Sequence, residues 1–291
     1  MSRPVTNDAA PSGPSGRPGW AAEMADLHVH ASPSLLPRHG NDAAMVAAER
    51  AAGFATIVLK AHEGSTVERA AAAGDGVYGG IVLNSPAGGA NPDAVEVAAR
   101  LGGRVVWMPT VSSRTHKAGA ASPELSVHRG FELGPVEVMT GAGELRPEWL
   151  EVLDVVARHD LLLASGHLSA DETVTLFTHA RRRGVRRLLV NHPMMAFLHW
   201  NDAAAQALRD LDAHLELGIL PDLLGDAEHA SLTLTRSYPL SLLAFGGDLG
   251  HAHHDPPALA VAPWLRALEA SVGAAAATAI MTTQTRDLLL P

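Results

Sequence analysis

From Trp20 onward one unit recurs along the chain: a short β-rich apolar run, then an alanine-rich amphipathic run, then another β-rich run. Eight β-rich runs can be read, MADLHVH, FATIVLKAH, YGGIVLN, RVVWMPT, LLLASGH, RLLVNHP, HLELGIL and LLAFGGD. They are continuous apolar stretches rather than strict alternations, as parallel strands covered on both faces are. Helices are predicted over 42–52, 65–73, 92–101, 147–159, 170–183, 202–211, 226–236 and 257–270, with a closing helix that ends in TRDLLL. Local signals mark the ends. Asn91 precedes Pro92 as an N-cap precedes a first-turn proline, Ser169 and Glu172 form a capping box, and Gly53, Gly102 and Gly184 follow helix ends. Eight βα units over roughly 270 residues predict an α/β fold, a single-domain (β/α)₈ TIM barrel, which typically needs about 250. The competing open doubly wound sheet lacks its glycine-rich loop after the first strand.

Composition narrows the function. Residues 1–19 are rich in Pro, Gly and Ser and are expected to form a disordered arm ahead of a barrel domain spanning 20–291. The arm has no apolar signal-peptide segment, and no stretch of the chain is pure enough to span a bilayer. There are no cysteines, which excludes disulfides, thiolate metal sites and a cysteine nucleophile, and fits a cytoplasmic protein. The net charge is −9, and the only basic runs, Arg181–Arg183 and Arg186–Arg187, fall at a predicted helix end. A nucleic-acid or membrane partner is therefore not expected. The expected partner is a small-molecule substrate, with the protein acting as a monomer or homo-oligomer.

Barrel enzymes keep their chemistry at the C-terminal ends of the strands. Those ends here carry His28 and His30, then Lys60 followed by His62, then Asn84, His167, His192 and Asp248. His28 and His30 sit two apart on a strand and so face the same way, a good arrangement for a metal and a poor one for a core. One connection is unusually long. Residues 112–146 follow the fourth run and hold Arg114, His116, His128 and other polar side chains, as substrate loops and lids do.

The DLHVH motif, the single histidines His167 and His192, and the final Asp248 resemble the amidohydrolase superfamily of metal-dependent hydrolases, in particular a branch with a lysine on the second strand. The resemblance covers most of the chain from Trp20 on. It implies a (β/α)₈ barrel with one or two divalent cations, usually Zn²⁺, and a metal-activated water as nucleophile. It assigns His28, His30, His167, His192 and Asp248 as ligands. The bridging residue usual at the fourth strand is missing, since that run ends WMPT. Lys60 could replace it only if carboxylated, because a free ammonium has no lone pair. Otherwise it would hold the substrate or a developing oxyanion. Asp248 and Lys60 are the expected catalytic groups, and His62, Asn84, Arg114 and His116 the expected substrate contacts. His251, His253 and His254 fall in an irregular loop and are read as incidental or substrate-loop residues, and His128 as a surface or core residue. The expected activity is hydrolysis of an amide, cyclic amide, lactone or similar bond. The alternatives are phosphoester hydrolysis in a histidine-rich barrel, metal-assisted decarboxylation or hydration, and a metal-binding barrel without turnover.

Overall fold

The computed structural model describes residues 23–290, apart from 129, 131 and 225–228. The arm anticipated at 1–19 lies outside the described residues. Strand β1 (Met24–His30) pairs in parallel with β2 (Phe54–Lys60), and β2 with β3 (Val77–Tyr78). Gly79 separates β3 from β4 (Gly80–Val82), so the two form one interrupted stave. From β4 the sheet continues in parallel through β5 (Val105–Trp107), β6 (Leu162–Ala164), β7 (Arg187–Val190), β8 (His214–Leu217) and β9 (Leu243–Phe245). The chain just beyond β9 closes the ring on β1: Asp248 N–H donates to His28 O (2.8 Å) and His30 N–H to Leu249 O (2.9 Å). Eight staves result, and each contains one of the apolar runs read from the sequence.

The apolar residues divide into two shells. Leu27, Val58, Val82, Trp107, Leu189 and their neighbours fill the barrel's interior. Ile57, Leu59, Val106, Leu163, Leu215 and Phe245 face outward into the helix layer. This two-sided burial explains the unbroken apolar runs. The closing LLL segment belongs to the interior, since Leu288 and Leu289 join that cluster. Arg187 fixes it by donating to the carbonyls of both leucines (3.3 and 2.6 Å).

Helices appear at 42–52, 67–73, 92–100, 148–158, 170–182, 202–210 and 257–272, within two residues of expectation at each end. The Ser169–Glu172 capping box is formed. The helix expected over 226–236 is not continuous: part of it lies outside the described residues, and the rest is two short turns, Ala230–Thr233 and Leu234–Ser237. No helix among the described residues is long and apolar enough to cross a membrane.

One buried group runs against the core's chemistry. Glu49, on the inner face of the helix Asp42–Ala52, is fully buried, and neither carboxyl oxygen has a hydrogen-bond partner. Burial, with a contribution from the nearby Asp26 charge, pushes its carboxyl well above the usual range. A carboxyl raised on folding costs the folded state nothing below its unfolded pKa, and increasingly more as pH climbs towards its folded value. Glu49→Leu is therefore expected to stabilise the protein by about 1–3 kcal/mol near neutrality and by progressively less as pH falls towards 4. Chemical denaturation at several pH values measures this, and a variant less stable than wild type at pH 8 would refute it.

Candidate metal centre

The site begins with an irregularity in β1. Its pairing with β2 slips between Asp26 and Val29, so one extra residue is accommodated there, as in a β-bulge. Leu27 thus points into the barrel beside His28, Val29 points out, and His30 points in again. Asp26 braces the bulge: its Oδ1 accepts from His28 N–H (2.8 Å) and from Gly247 N–H (2.9 Å). Burial raises the Asp26 carboxyl to about 7.

His28, His30 and Asp248 converge at the mouth. Asp248 Oδ1 lies 3.1 Å from His28 Nε2 and 3.1 Å from His30 Nε2. They form the one group of at least three metal-capable side chains with mutually close donor atoms among the described residues. Behind them stands Glu216, which sequence reasoning missed. Its Oε1 is 3.0 Å from His28 Nδ1, and its Oε2 accepts from Asn191 Nδ2 (3.1 Å) and His192 N–H (3.0 Å). A carboxylate on Nδ1 leaves Nε2 of the same ring free to ligate, the usual support for a metal-binding histidine. The available signal was a glutamate in the middle of the apolar run HLELGIL.

The electrostatics suit a cation. Burial works against charge on His28, but Asp248 and Glu216 raise it to about 9. Burial alone would raise Asp248; His28 and His30 hold it well below the usual carboxylate range. Burial keeps His30 and His167 well below the ordinary imidazole value and lowers His192 to about 4, so these rings keep their lone pairs. His192 Nδ1 is buried without a hydrogen-bond partner. The separations of 3.1 Å are close to the edge of about 3.3 Å that Zn–N and Zn–O bonds near 2.0–2.1 Å would give in a tetrahedron. These residues fit a divalent cation.

Lys60 reaches the same point, with Nζ 2.9 Å from His28 Nε2. Burial lowers it to about 8. The two nitrogens can hold only one proton on the line between them, so they titrate as a pair. Arg38, also missed, packs on the other side, with Nη2 donating to His30 Nδ1 (3.2 Å) and Nε to Ser34 Oγ (3.3 Å). Burial lowers its guanidinium to about 10.

The expected substrate contacts fare unevenly. His62 and His116 do reach the site. His116 Nδ1 is 2.8 Å from His167 Nδ1, so His116 orients the ring of a predicted ligand. Asn84 is engaged by protein instead: its amide donates to His62 O (2.9 Å) and Thr110 Oγ1 (2.7 Å) and accepts from the N–H groups of Thr110 and Ser112. Arg114 is exposed and lines neither of the cavities at the mouth. It lies on the short helix Arg114–Ala118, where two residues correspond to about 200° of rotation. Burying His116 therefore turns Arg114 outward. His128, expected at the surface or in the core, lines the mouth, as does His251.

The glycines of FGGDLG have a steric cause. A Cβ on Gly246 would collide with the Glu216 carboxylate, and one on Gly247 with Asp26 Oδ2. Gly246→Ala is accordingly expected to cost about 1–3 kcal/mol through overpacking and to loosen Glu216 from His28. An unchanged denaturation midpoint would contradict this.

Residues 23–216 match DUF6282, a family of unknown function. The chain belongs to this family. No curated protein matches it. Among solved structures it is similar to a probable 2-pyrone-4,6-dicarboxylic acid hydrolase from Acinetobacter baumannii (12% identity over 92% of this chain and 98% of that one, TM-score 0.61). It is also similar to an amidohydrolase from Pseudomonas aeruginosa (11%, 93% and 97%, 0.60) and to 2,6-dihydroxybenzoate decarboxylase from Rhizobium (13%, 92% and 98%, 0.57). The likeness is one of fold: DUF6282 here has the amidohydrolase-type barrel anticipated from DLHVH and Asp248.

Proposed function

We propose that this DUF6282 protein is a metal-dependent hydrolase of small molecules, cleaving an amide, cyclic amide, lactone or similar bond. The observation that carries the reading is the buried His28–His30–Asp248 cluster at the barrel mouth, backed by Glu216. His28, His30 and Asp248 would hold the cation, zinc suits this nitrogen and oxygen donor set, and the predicted ligands His167 and His192 line the same cavity outside that trio of close donor atoms. A bound divalent cation would supply Lewis acidity and lower a water's pKa from about 15.7 towards about 7. Asp248, kept ionised by the two imidazoles, accepts the proton of the attacking water and returns it to the leaving group. Lys60 donates to the oxygen on which negative charge develops.

A second reading, decarboxylation, draws support from Arg38 and Lys60, two cations lining the same cavity as Asp248. With a cation on His30 Nε2, the ring proton would move to Nδ1 and release Arg38 from it, so the guanidinium could hold a substrate carboxylate. The likenesses to a probable dicarboxylic acid hydrolase and to a decarboxylase are compatible with an anionic substrate in either reading. A panel of lactones, cyclic imides, aromatic carboxylic acids and phosphoesters, assayed with zinc and with chelator, separates these. Chelator-sensitive ring opening supports hydrolysis, and CO₂ release supports decarboxylation. Turnover untouched by exhaustive chelation would overturn both.

A further inference from the structure

Seven imidazoles close a ring around the mouth. Neighbouring ring centres lie 5.2 Å apart for His28–His30, 5.0 Å for His30–His62, 5.0 Å for His62–His128 and 5.1 Å for His128–His116. The circuit continues through His116–His167 (4.9 Å) and His167–His192 (5.0 Å) and returns by His192–His28 (6.0 Å). The cluster already described uses one side of it. The opposite side, His62 and His128, has no part in that chemistry.

We propose that His62 and His128 form a second divalent-cation site, completed by water. Their Nε2 atoms face each other at 3.3 Å. Two imidazole nitrogens bound tetrahedrally to zinc at 2.0–2.1 Å stand about 3.3–3.4 Å apart. The supporting contacts also match. His62 Nδ1 lies 2.9 Å from Thr110 Oγ1, which can accept its proton and leave the lone pair on Nε2. Asn84 donates to the same Thr110 oxygen (2.7 Å) and to His62 O (2.9 Å), so both hydroxyl and ring are held.

The position has a use. The inner cavity, bounded by His30, Lys60, His62 and Asp248, measures only about 20 Å³, too small for a substrate. Outside it lies a cavity of about 480 Å³ lined by His116, Lys117 and Glu132. Leu125 and His128 line both and form the wall between them. A cation on His62 and His128 would sit behind the wall of the larger space, and it would tie the 112–146 segment to the end of β2. It also gives a second cation a binding place in a chain whose fourth stave ends without a bridging residue.

This inference rests on the proposed metal-dependent reading, and metal content tests the two separately. The full chain is stripped with chelator, titrated with zinc alone, and analysed by calorimetry and elemental analysis, with cobalt(II) absorbance as a second readout. Wild type is expected to take two equivalents. His128→Ala and His62→Ala should each take one, and Asp248→Asn should lose the other. His253→Ala, at an exposed histidine of the GHAHHDPP loop, should keep two. His128→Ala alters a partly exposed loop residue, and circular dichroism checks that its fold persists. If wild type saturates at one equivalent, or if His128→Ala retains two, the second site is refuted while the first stands. A loss that follows His253 instead refutes it as adventitious surface binding. If wild type takes up no zinc, both readings fall.

Discussion

Asp248→Asn is expected to reduce turnover by about 10²–10⁴-fold, the range typical for removing a positioned general base, and to remove the stabilisation that zinc confers through the His28–His30–Asp248 site. The argument is local. Asp248 is the anion that both His28 and His30 face, each at 3.1 Å. Asparagine is nearly the same size, so the barrel closure through Asp248 N–H and His28 O is retained, while the negative charge and the proton acceptor are lost. A ligand present at 100 times its dissociation constant stabilises the folded state by about 2.7 kcal/mol. Wild type should therefore show a higher Tm with zinc than with chelator. The zinc-dependent rise should be smaller in Asp248→Asn by the share that the His28–His30–Asp248 site confers, and His28→Ala should lose the same share. The melting experiment needs no knowledge of the substrate. A full zinc-dependent shift in Asp248→Asn would place the cation elsewhere.

The eight staves were legible because parallel strands buried on both faces have to be apolar throughout, and alanine-rich amphipathic runs between them leave few other folds. His28, His30 and Asp248 were legible because a strand end is a fixed position: once the barrel is accepted, its residues must gather at the mouth. The groups that were missed depend on longer-range geometry. Glu216 lies mid-strand, and only the β1 bulge together with the absence of a Cβ at Gly246 brings its carboxylate to His28. Arg38 comes from an irregular loop with no periodicity to aim it. His128 meets His62 across 66 residues of chain, through a segment whose path no local rule sets. Arg114 stands outside the cavities for a related reason: composition places a cation in the loop, but helix phase decides that His116 points in and Arg114 out.

Lys60 separates two chemistries that share one residue. A carboxylated Lys60 would bridge two cations, and its loss would cost a metal equivalent. The structure places its Nζ 2.9 Å from His28 Nε2, with the Trp107 ring centroid 5.7 Å away. This is the environment of a buried amine that donates hydrogen bonds. Lys60→Met, which keeps length and apolar bulk, is expected to leave zinc stoichiometry unchanged and to lower turnover by about 10²–10³-fold, the cost of removing one donor to a developing oxyanion. The pH profile carries the sign. A lysine lowered from 10.5 to about 8 is charged below that value and neutral above it, and a neighbouring dication lowers it further. If the charged form is the active donor, wild-type turnover falls on a basic limb at or below about pH 8. Lys60→Arg, which keeps its charge throughout this range, should retain part of the activity and lose that limb. Metal analysis and a pH profile of the two variants together decide the question. A lost equivalent in Lys60→Met, restored in Lys60→Glu, would establish the bridge and overturn the donor role.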